Sequence, residues 1–121
     1  MSRLEGSTDP ADSAEQVAES VFVALADPTR RRILTALATD GAATATDLAG
    51  RLPISRQAIA KHLELLAEVD LVVAEPGERR RVRYRLSSRP ISVAQSYLAA
   101  LASDWDARFV ALSGYLNKAP G

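Results

Sequence analysis

The chain has 121 residues, 47% apolar and 25% charged, which is typical of one globular domain and excludes a disordered or fibrous chain. It has no cysteine, and this excludes disulfide scaffolds, thiolate metal sites and cysteine nucleophiles. The net charge is zero, yet residues 28–90 hold 12 lysines and arginines against 7 acids, while the remainder holds 3 against 8. A basic centre between acidic ends suits either a nucleic-acid-binding face or a solvated surface, and charge alone leaves both open.

The N-terminal segment, residues 1–12, is polar and is predicted to be a disordered tail that precedes a folded unit over residues 13–118. It does not have the pattern of a signal peptide. The longest apolar run, Val21–Ala26, is too short to span a bilayer. We therefore expect a cytoplasmic protein that makes no membrane contact.

A first helix is predicted over residues 13–26. Ser13 is its expected N-cap, and Gln16 three residues later completes a capping box. Val17 and Val21 then recur at helical spacing, which predicts an apolar face on this helix.

A second helix is predicted to begin at Asp27 and Pro28, because aspartate caps a helix and proline suits its first position. Gly41 is its expected end. The run Arg30–Arg32 near its start has two interpretations: contact with a DNA backbone, or a face that is solvated or paired with acids.

A short helix, a tight turn and another helix are predicted next. Thr46 is expected to cap the short helix over residues 47–51, Pro53 to turn the chain, and Ser55 to cap the helix that follows. Spacings of four and three give that helix a buried stripe of Ile59, Leu63 and Leu66. This is a helix-turn-helix, whose second helix fits a DNA major groove about 12 Å wide.

Subtracting the buried stripe leaves a polar face near the start of this second helix. The residues predicted to contact DNA from it are Ser55, Arg56, Gln57, Ala58, Lys61 and His62. Arginine pairs with guanine, glutamine with adenine, and a small alanine side chain contacts a thymine methyl group. The chain has one histidine and no thiol, so no transition-metal site is expected; His62 makes a base or phosphate contact, or a hydrogen bond at the helix edge.

A β-hairpin is predicted after the helix-turn-helix. Its first strand covers residues 71–75, and Pro76-Gly77 suits a type II turn with a positive φ at the glycine. On the second strand Val82, Tyr84 and Leu86 alternate with Arg81, Arg83 and Arg85, so one face is expected to be buried and the other basic. The hairpin residues predicted to bind DNA are Arg79, Arg80, Arg81 and Arg83. The alternative is a solvated basic strand.

A final helix is predicted over residues 90–117, and it is too apolar to be stable alone. Together with residues 13–26 it is expected to form the interface of a homodimer. The residues assigned to that interface are Val17, Val21, Leu98, Leu101, Trp105, Phe109 and Leu112. An apolar stripe of this kind could instead line a ligand pocket.

Motifs for catalysis are not found. The chain has no Gly-rich phosphate loop, nucleophile elbow or HExxH motif. Asp104 and Asp106 are two residues apart on a helix, so their carboxylates point in different directions. We expect no enzyme activity and no cofactor.

Three stretches together resemble the ArsR-type winged helix-turn-helix regulators of bacteria. They are Ala24–Leu34, Leu48–Leu66 and Tyr84–Leu86. The resemblance implies a mainly α fold with a small β-hairpin, a homodimer built on the first and last helices, and operator binding. It also implies repression that an effector often relieves.

The sequence departs from the metal sensors of this family. Those carry a cysteine pair before the turn, where this chain has Ala45–Leu48, and its last helix offers no histidine. We therefore expect no metal. The predicted function is a sequence-specific regulator that binds double-stranded DNA at a palindromic operator as a homodimer and represses transcription. One alternative is a winged-helix module that binds proteins without specific DNA binding. A second alternative, compatible with DNA binding, is a sensor whose unidentified small-molecule effector lies at the dimer helices.

Overall fold

The computed structural model describes residues 10–118, within which the chain forms five α-helices and three β-strands. In chain order they are α1 (Pro10–Leu25), α2 (Pro28–Asp40), β1 (Ala43–Thr44), α3 (Ala45–Ala49), α4 (Arg56–Glu68), β2 (Val72–Pro76), β3 (Val82–Leu86) and α5 (Arg89–Lys118). This confirms the mainly helical fold with a small β-hairpin. No helix in the described range combines the length and the apolar character needed to cross a bilayer.

Helix α1 begins earlier than the sequence predicted. Its first residue is Pro10, three residues before the predicted cap Ser13. A proline at the first helical position is favourable because its fixed φ matches the helix and its missing N–H needs no partner there. The predicted tail was therefore wrong over residues 10–12, and its first nine residues lie outside the described range.

The end of α1 is bound to the start of α2 by side chains from the second helix. Asp27 caps α2, as predicted, and its Oδ2 accepts the backbone N–H of Arg30 at 3.1 Å. The guanidinium of Arg30 donates to the carbonyl of Ala24 at 3.1 Å, and that of Arg31 donates to the carbonyl of Leu25 at 2.6 Å. Cations at the C-terminus of a helix satisfy its free carbonyls and its dipole. These two arginines therefore stabilise the α1–α2 turn.

The three strands form one antiparallel sheet in the order β1–β3–β2. Val72 pairs with Leu86 at one end of the hairpin and Pro76 with Val82 at the other, and Ala43 of β1 pairs with Tyr84. Because β1 runs directly into α3, the sheet joins the hairpin to the helix-turn-helix.

The hairpin turn differs from the predicted type II turn. Gly77 has a φ of −109°, and the positive φ values belong to Arg79 (54°) and Arg80 (64°). Glycine is needed at position 77 for space, since a Cβ there would lie 2.8 Å from the carbonyl oxygen of Arg81. The N–H of Gly77 donates to that same oxygen at 2.7 Å, so the two backbones cannot separate without breaking the turn.

Gly77→Ala is expected to lower the free energy of unfolding by about 1–3 kcal/mol, because the added methyl group forces the turn apart. Gly50→Ala is the matched control: Gly50 has an ordinary helical φ of −75°, and its nearest neighbour to a new Cβ lies at 3.4 Å. That control is expected to change stability by less than about 0.5 kcal/mol. Urea denaturation measures both, and equal losses would contradict the argument.

The core lies where α4 meets α1, α2 and the sheet. The largest fully buried side chains are Val21, Ile33, Leu48, Ile59, Leu63, Leu66, Leu71 and Val72. All three residues of the predicted α4 stripe are among them, which confirms that stripe. Burial of one face of α4 fixes which of its residues point outward.

Candidate nucleic-acid interface

Helix α3 is fixed at its start by a reciprocal pair of hydrogen bonds. Oγ1 of Thr44 accepts the N–H of Asp47 at 3.0 Å, and Oδ2 of Asp47 accepts the N–H of Thr44 at 3.1 Å. The predicted cap Thr46 was therefore wrong by two residues, and α3 covers Ala45–Ala49. Thr44 both ends β1 and caps α3, so the helix-turn-helix begins at the edge of the sheet.

Hydrogen bonding to the Asp47 carboxylate from the backbone N–H of Thr44, and next from its side chain, lowers the pKa of Asp47 below its ordinary value of 3.8, and the charges of Arg51 and Arg81 lower it further. A carboxyl group with a lowered pKa in the folded state contributes stability above its unfolded pKa, and this contribution is lost as the pH falls through the folded value. The contribution is modest because Asp47 is exposed to solvent.

Asp47→Asn is expected to be less stable than the wild type at pH 7, with the difference shrinking as the pH falls from 3.8 through the lower pKa of the folded state, because the carboxylate then becomes protonated in the folded state as well. Asparagine keeps the capping geometry, so the comparison isolates the charge. Urea midpoints at pH 7 and pH 3 measure it, with Asp106→Asn on α5 as a control for general loss of charge. A difference that is the same at both pH values would contradict the role given to the charge.

Helix α4 begins as the sequence predicted. Oγ of Ser55 accepts the N–H of Ala58 at 3.1 Å, which caps the helix. The side chains of Arg56, Gln57 and Lys61 are exposed, and Ala58 is half-buried. The structure thus brings these residues together on one outward face at the start of α4.

His62 differs from the other residues assigned to this face. Its side chain is 24% exposed, and its Nδ1 lies 3.7 Å from Oδ2 of Asp27 in the α1–α2 turn. Among the side chains that the structure describes, this Nδ1 is a buried nitrogen with no hydrogen-bond partner. At 3.7 Å the contact is too long for a hydrogen bond. The inner edge of the ring therefore faces a carboxylate, and only its outer part is open to solvent.

The wing is the name used here for β2, β3 and the turn between them. Arg79, Arg80, Arg81 and Arg83 are all exposed on it. Arg85 instead pairs with Glu75 on the neighbouring strand at 3.4 Å. The expected burial of Val82 was wrong: it is 49% exposed, while Tyr84 and Leu86 pack against the core.

A groove of about 290 Å³ separates the wing from the start of α3. It is lined by Thr44, Asp47, Gly77, Glu78, Arg79, Arg81 and Arg83. The wing arginines and the first helix of the helix-turn-helix therefore border the same space. A strand of phosphates that crossed this groove would meet both elements.

A second exposed surface lies on α5. Leu98, Trp105, Phe109 and Leu112 are 48–65% exposed, and Leu101 is half-buried. The predicted set omitted Leu116, which is also exposed. A spacing of four residues from Leu112 places Leu116 on the same helix face, so helical spacing in the sequence was enough to predict Leu116 as a member of this surface.

Helix α1 contributes less to this surface than the sequence predicted. Val21 is 1% exposed and lies inside the core of the protomer, so its assignment to a dimer interface is corrected. Val17 is half-buried and packs against the same core. Phe22 and Val23 are the large apolar residues that α1 exposes within the described range.

The described residues were also compared with the ligand requirements of a metal centre. Residues 10–118 contain no group of three or more histidine, cysteine, aspartate or glutamate side chains arranged to hold an ion.

Comparison with known proteins gives consistent matches. A helix-turn-helix domain family matches residues 25–74, from the end of α1 into β2. The HTH-type transcriptional regulator Rv2034 of Mycobacterium tuberculosis is 42% identical over 98 residues, which cover 80% of this chain and 83% of the relative. The transcriptional repressor SdpR of Bacillus subtilis is 42% identical over 69 residues, which cover 57% of this chain and 74% of the relative.

Solved structures agree with the sequence relatives. An ArsR-like transcriptional regulator from Rhodococcus sp. RHA1 superposes with a TM-score of 0.77 at 38% identity, over 85% of this chain and 95% of that one. The similarity therefore includes the helices outside the helix-turn-helix as well as the wing.

Proposed function

The chain belongs to the ArsR-type winged helix-turn-helix transcriptional regulators, and from this premise we propose that it represses transcription as a homodimer bound to a palindromic operator. It is a DNA-binding regulator of the kind that its relatives represent. The family consists of transcriptional regulators, and we assign this chain no catalytic role.

One observation carries the proposal: the outward face of α4 and the wing arginines are both exposed, and β1 and α3 connect the two elements. In it Arg56 and Gln57 read base edges in the major groove, while Ser55 and Lys61 contact phosphates. The wing arginines neutralise phosphates on the flanking backbone, which makes affinity fall steeply with salt.

The dimer follows from the length and composition of α5. This helix has 30 residues and is about 45 Å long, whereas α1 has 16 residues and is about 24 Å long. The apolar stripe from Leu98 to Leu116 is exposed in the protomer, and contiguous apolar surface of this kind marks an interface. A second copy covers it with the same stripe in a two-fold arrangement.

A two-fold dimer carries two copies of α4, which enter successive major grooves when they lie about 34 Å apart. A palindromic site mirrors this symmetry. Repression is the simplest consequence, since a dimer bound over a promoter excludes the polymerase, and the relative SdpR is a transcriptional repressor. This activity takes place in the cytoplasm, where the operator lies.

An unidentified small-molecule effector is the remaining partner in the proposal. A cleft of about 700 Å³ lies between α1, the end of α4 and the start of α5, and its lining combines apolar Val17, Val73 and Val93 with polar Ser13, Asp70, Ser87 and Arg89. A cleft of this mixed lining beside the dimer helices is the place where a ligand would change their arrangement. A thermal-shift screen of candidate effectors, repeated with Val93→Asp, tests this part of the proposal.

The DNA roles are tested by fluorescence anisotropy on the chain's own upstream DNA, beside a scrambled duplex, at two salt concentrations. Arg56→Ala and Gln57→Ala are expected to reduce the preference for the native duplex, since a bidentate base contact contributes about 1–3 kcal/mol of discrimination. Arg81→Ala is expected to weaken binding to both duplexes alike and to reduce the salt slope by about one. Arg85→Ala is the matched control, because Arg85 is paired with Glu75, and its effect is expected to be smaller.

Equal losses on both duplexes for the Arg56, Gln57 and Arg81 variants would contradict these roles. A folded protein that binds neither duplex at low salt would favour the alternative, a module that binds other proteins.

A further inference from the structure

His62 lies on α4 at the border between its buried stripe and its outward face. The residues one helical turn away are Ala58, Ile59, Leu65 and Leu66, and none carries a charge. The carboxylate of Asp27 lies 3.7 Å from a ring nitrogen of His62 that is buried and has no hydrogen-bond partner. A neutral ring carries either a hydrogen or a lone pair on this nitrogen, whereas a protonated ring always carries the hydrogen and adds a positive charge beside the carboxylate.

Asp27 is itself held in place by the α1–α2 turn. The oxygen that faces His62, Oδ2, also accepts the N–H of Arg30 and so caps α2. The guanidinium groups of Arg30 and Arg31 are directed at the carbonyl end of α1. These hydrogen bonds stabilise the turn, and they direct both guanidinium groups at backbone carbonyls and not at the Asp27 carboxylate. One carboxylate oxygen in the α1–α2 turn thus caps the start of α2 and faces the middle of α4.

We propose that His62 is a positioning residue for DNA recognition, which takes up a proton from solvent when DNA binds and then fixes α4 against the α1–α2 turn through Asp27. This rests on the proposed function. DNA brings a strong negative potential to the outward side of α4, and this potential favours the imidazolium over the neutral ring. The imidazolium then lies between phosphates on one side and the Asp27 carboxylate on the other.

The chain offers a clear way to observe this proton. It has one histidine and no cysteine, and histidine is the side chain whose ordinary pKa lies between pH 5 and 8. A change in DNA affinity across this range therefore reports on His62, once the N-terminal amine is acetylated to remove its own titration.

The experiment measures DNA affinity by anisotropy at pH 6 and pH 8 for the wild type, His62→Asn, Asp27→Asn and Lys61→Gln. The wild type is expected to bind about three- to tenfold more tightly at pH 6, which corresponds to an average of about a quarter to half a proton linked to binding over those two pH units. His62→Asn is expected to lose this pH response. Asp27→Asn is expected to reduce it while keeping the α2 cap, since asparagine caps a helix as well as aspartate does.

Lys61→Gln is the matched control, because it removes a neighbouring positive charge that does not face Asp27. It is expected to weaken binding equally at both pH values and to leave their ratio unchanged. Melting temperatures of all four proteins show whether each remains folded. A pH response that survives in His62→Asn overturns the proposal. A response that is lost in His62→Asn but unchanged in Asp27→Asn also overturns it, since His62 would then act directly on a phosphate.

A second measurement separates failure of this inference from failure of the proposed function. The ring resonances of the single histidine are recorded by NMR at one fixed pH in the free protein. Asp27→Asn is expected to move these resonances, because it changes the group that lies 3.7 Å from the ring nitrogen. Unchanged resonances overturn the Asp27–His62 contact itself. Changed resonances with no binding to any duplex overturn the proposed function and, with it, the link to DNA.

Discussion

A chain carrying Trp105→Glu and Phe109→Glu is expected to sediment as a folded monomer and to bind a two-half-site operator at least about a hundredfold more weakly than the wild type. Both side chains are more than half exposed in the protomer and lie outside its core, so their loss leaves the fold intact. In a two-fold dimer four carboxylates would meet in an apolar seam, and burying them unpaired is strongly unfavourable. The monomer then loses the increase in DNA affinity, roughly 10²–10⁴-fold, that a dimer gains by binding two linked half-sites.

The matched control adds the same two charges to the opposite face of α5, as Ser103→Glu and Ala107→Glu. These positions are exposed and lie about half a helical turn away from the apolar stripe. This variant is expected to remain a dimer and to bind DNA. Sedimentation velocity at micromolar concentration measures the oligomeric state of both variants. A Trp105→Glu, Phe109→Glu variant that still sediments as a dimer would rule out this interface.

Leu63→Ala is expected to lower the free energy of unfolding by about 3 kcal/mol, within the range of about 2–5 kcal/mol for a leucine removed from a core. Leu63 is 0% exposed and lies in the centre of the inward face of α4. The substitution leaves a cavity beneath the helix that carries the outward face. Since small domains are stable by only about 5–15 kcal/mol, a loss of this size is a large share of the total stability.

Leu65→Ala provides the comparison within the same helix. Leu65 is two residues away and 42% exposed, and its replacement is expected to cost less than about 1 kcal/mol. Urea denaturation of the two variants measures the difference. Similar losses would mean that α4 is not packed as the structure shows.

Signals that are local in sequence were sufficient for several features of the fold. The caps at Asp27 and Ser55 and the stripe on α4 each depend on residues a few positions apart, and each is confirmed. Gly41 ends α2 for a similarly local reason, since its φ of 89° suits glycine. In these places the chemistry of a short segment decides the structure.

Features that depend on distant parts of the chain were predicted less well. Thr44 and Thr46 are equally good caps, and the choice between them follows from the pairing of β1 with β3, which sequence spacing does not reveal. Val21 has the apolar character of an interface residue, yet packing inside the protomer buries it. The contact between Asp27 and His62 joins residues 35 positions apart, so no local pattern could have indicated it. The individual roles at DNA and in the dimer stay predictions, since they involve a second molecule.

The backbone conformation of the wing turn affects how this protein can be made more stable to heat. Arg79 and Arg80 both occupy left-handed φ values, a conformation that is unfavourable for a residue with a branched or long side chain and easy for glycine. Glycine or asparagine at these positions would relieve that strain and raise the melting temperature. Each such change would also remove a positive charge from the tip of the wing. If the wing arginines bind DNA as proposed, a selection for thermal stability alone would accumulate variants that are more stable but bind DNA more weakly, and a useful selection must score both properties together.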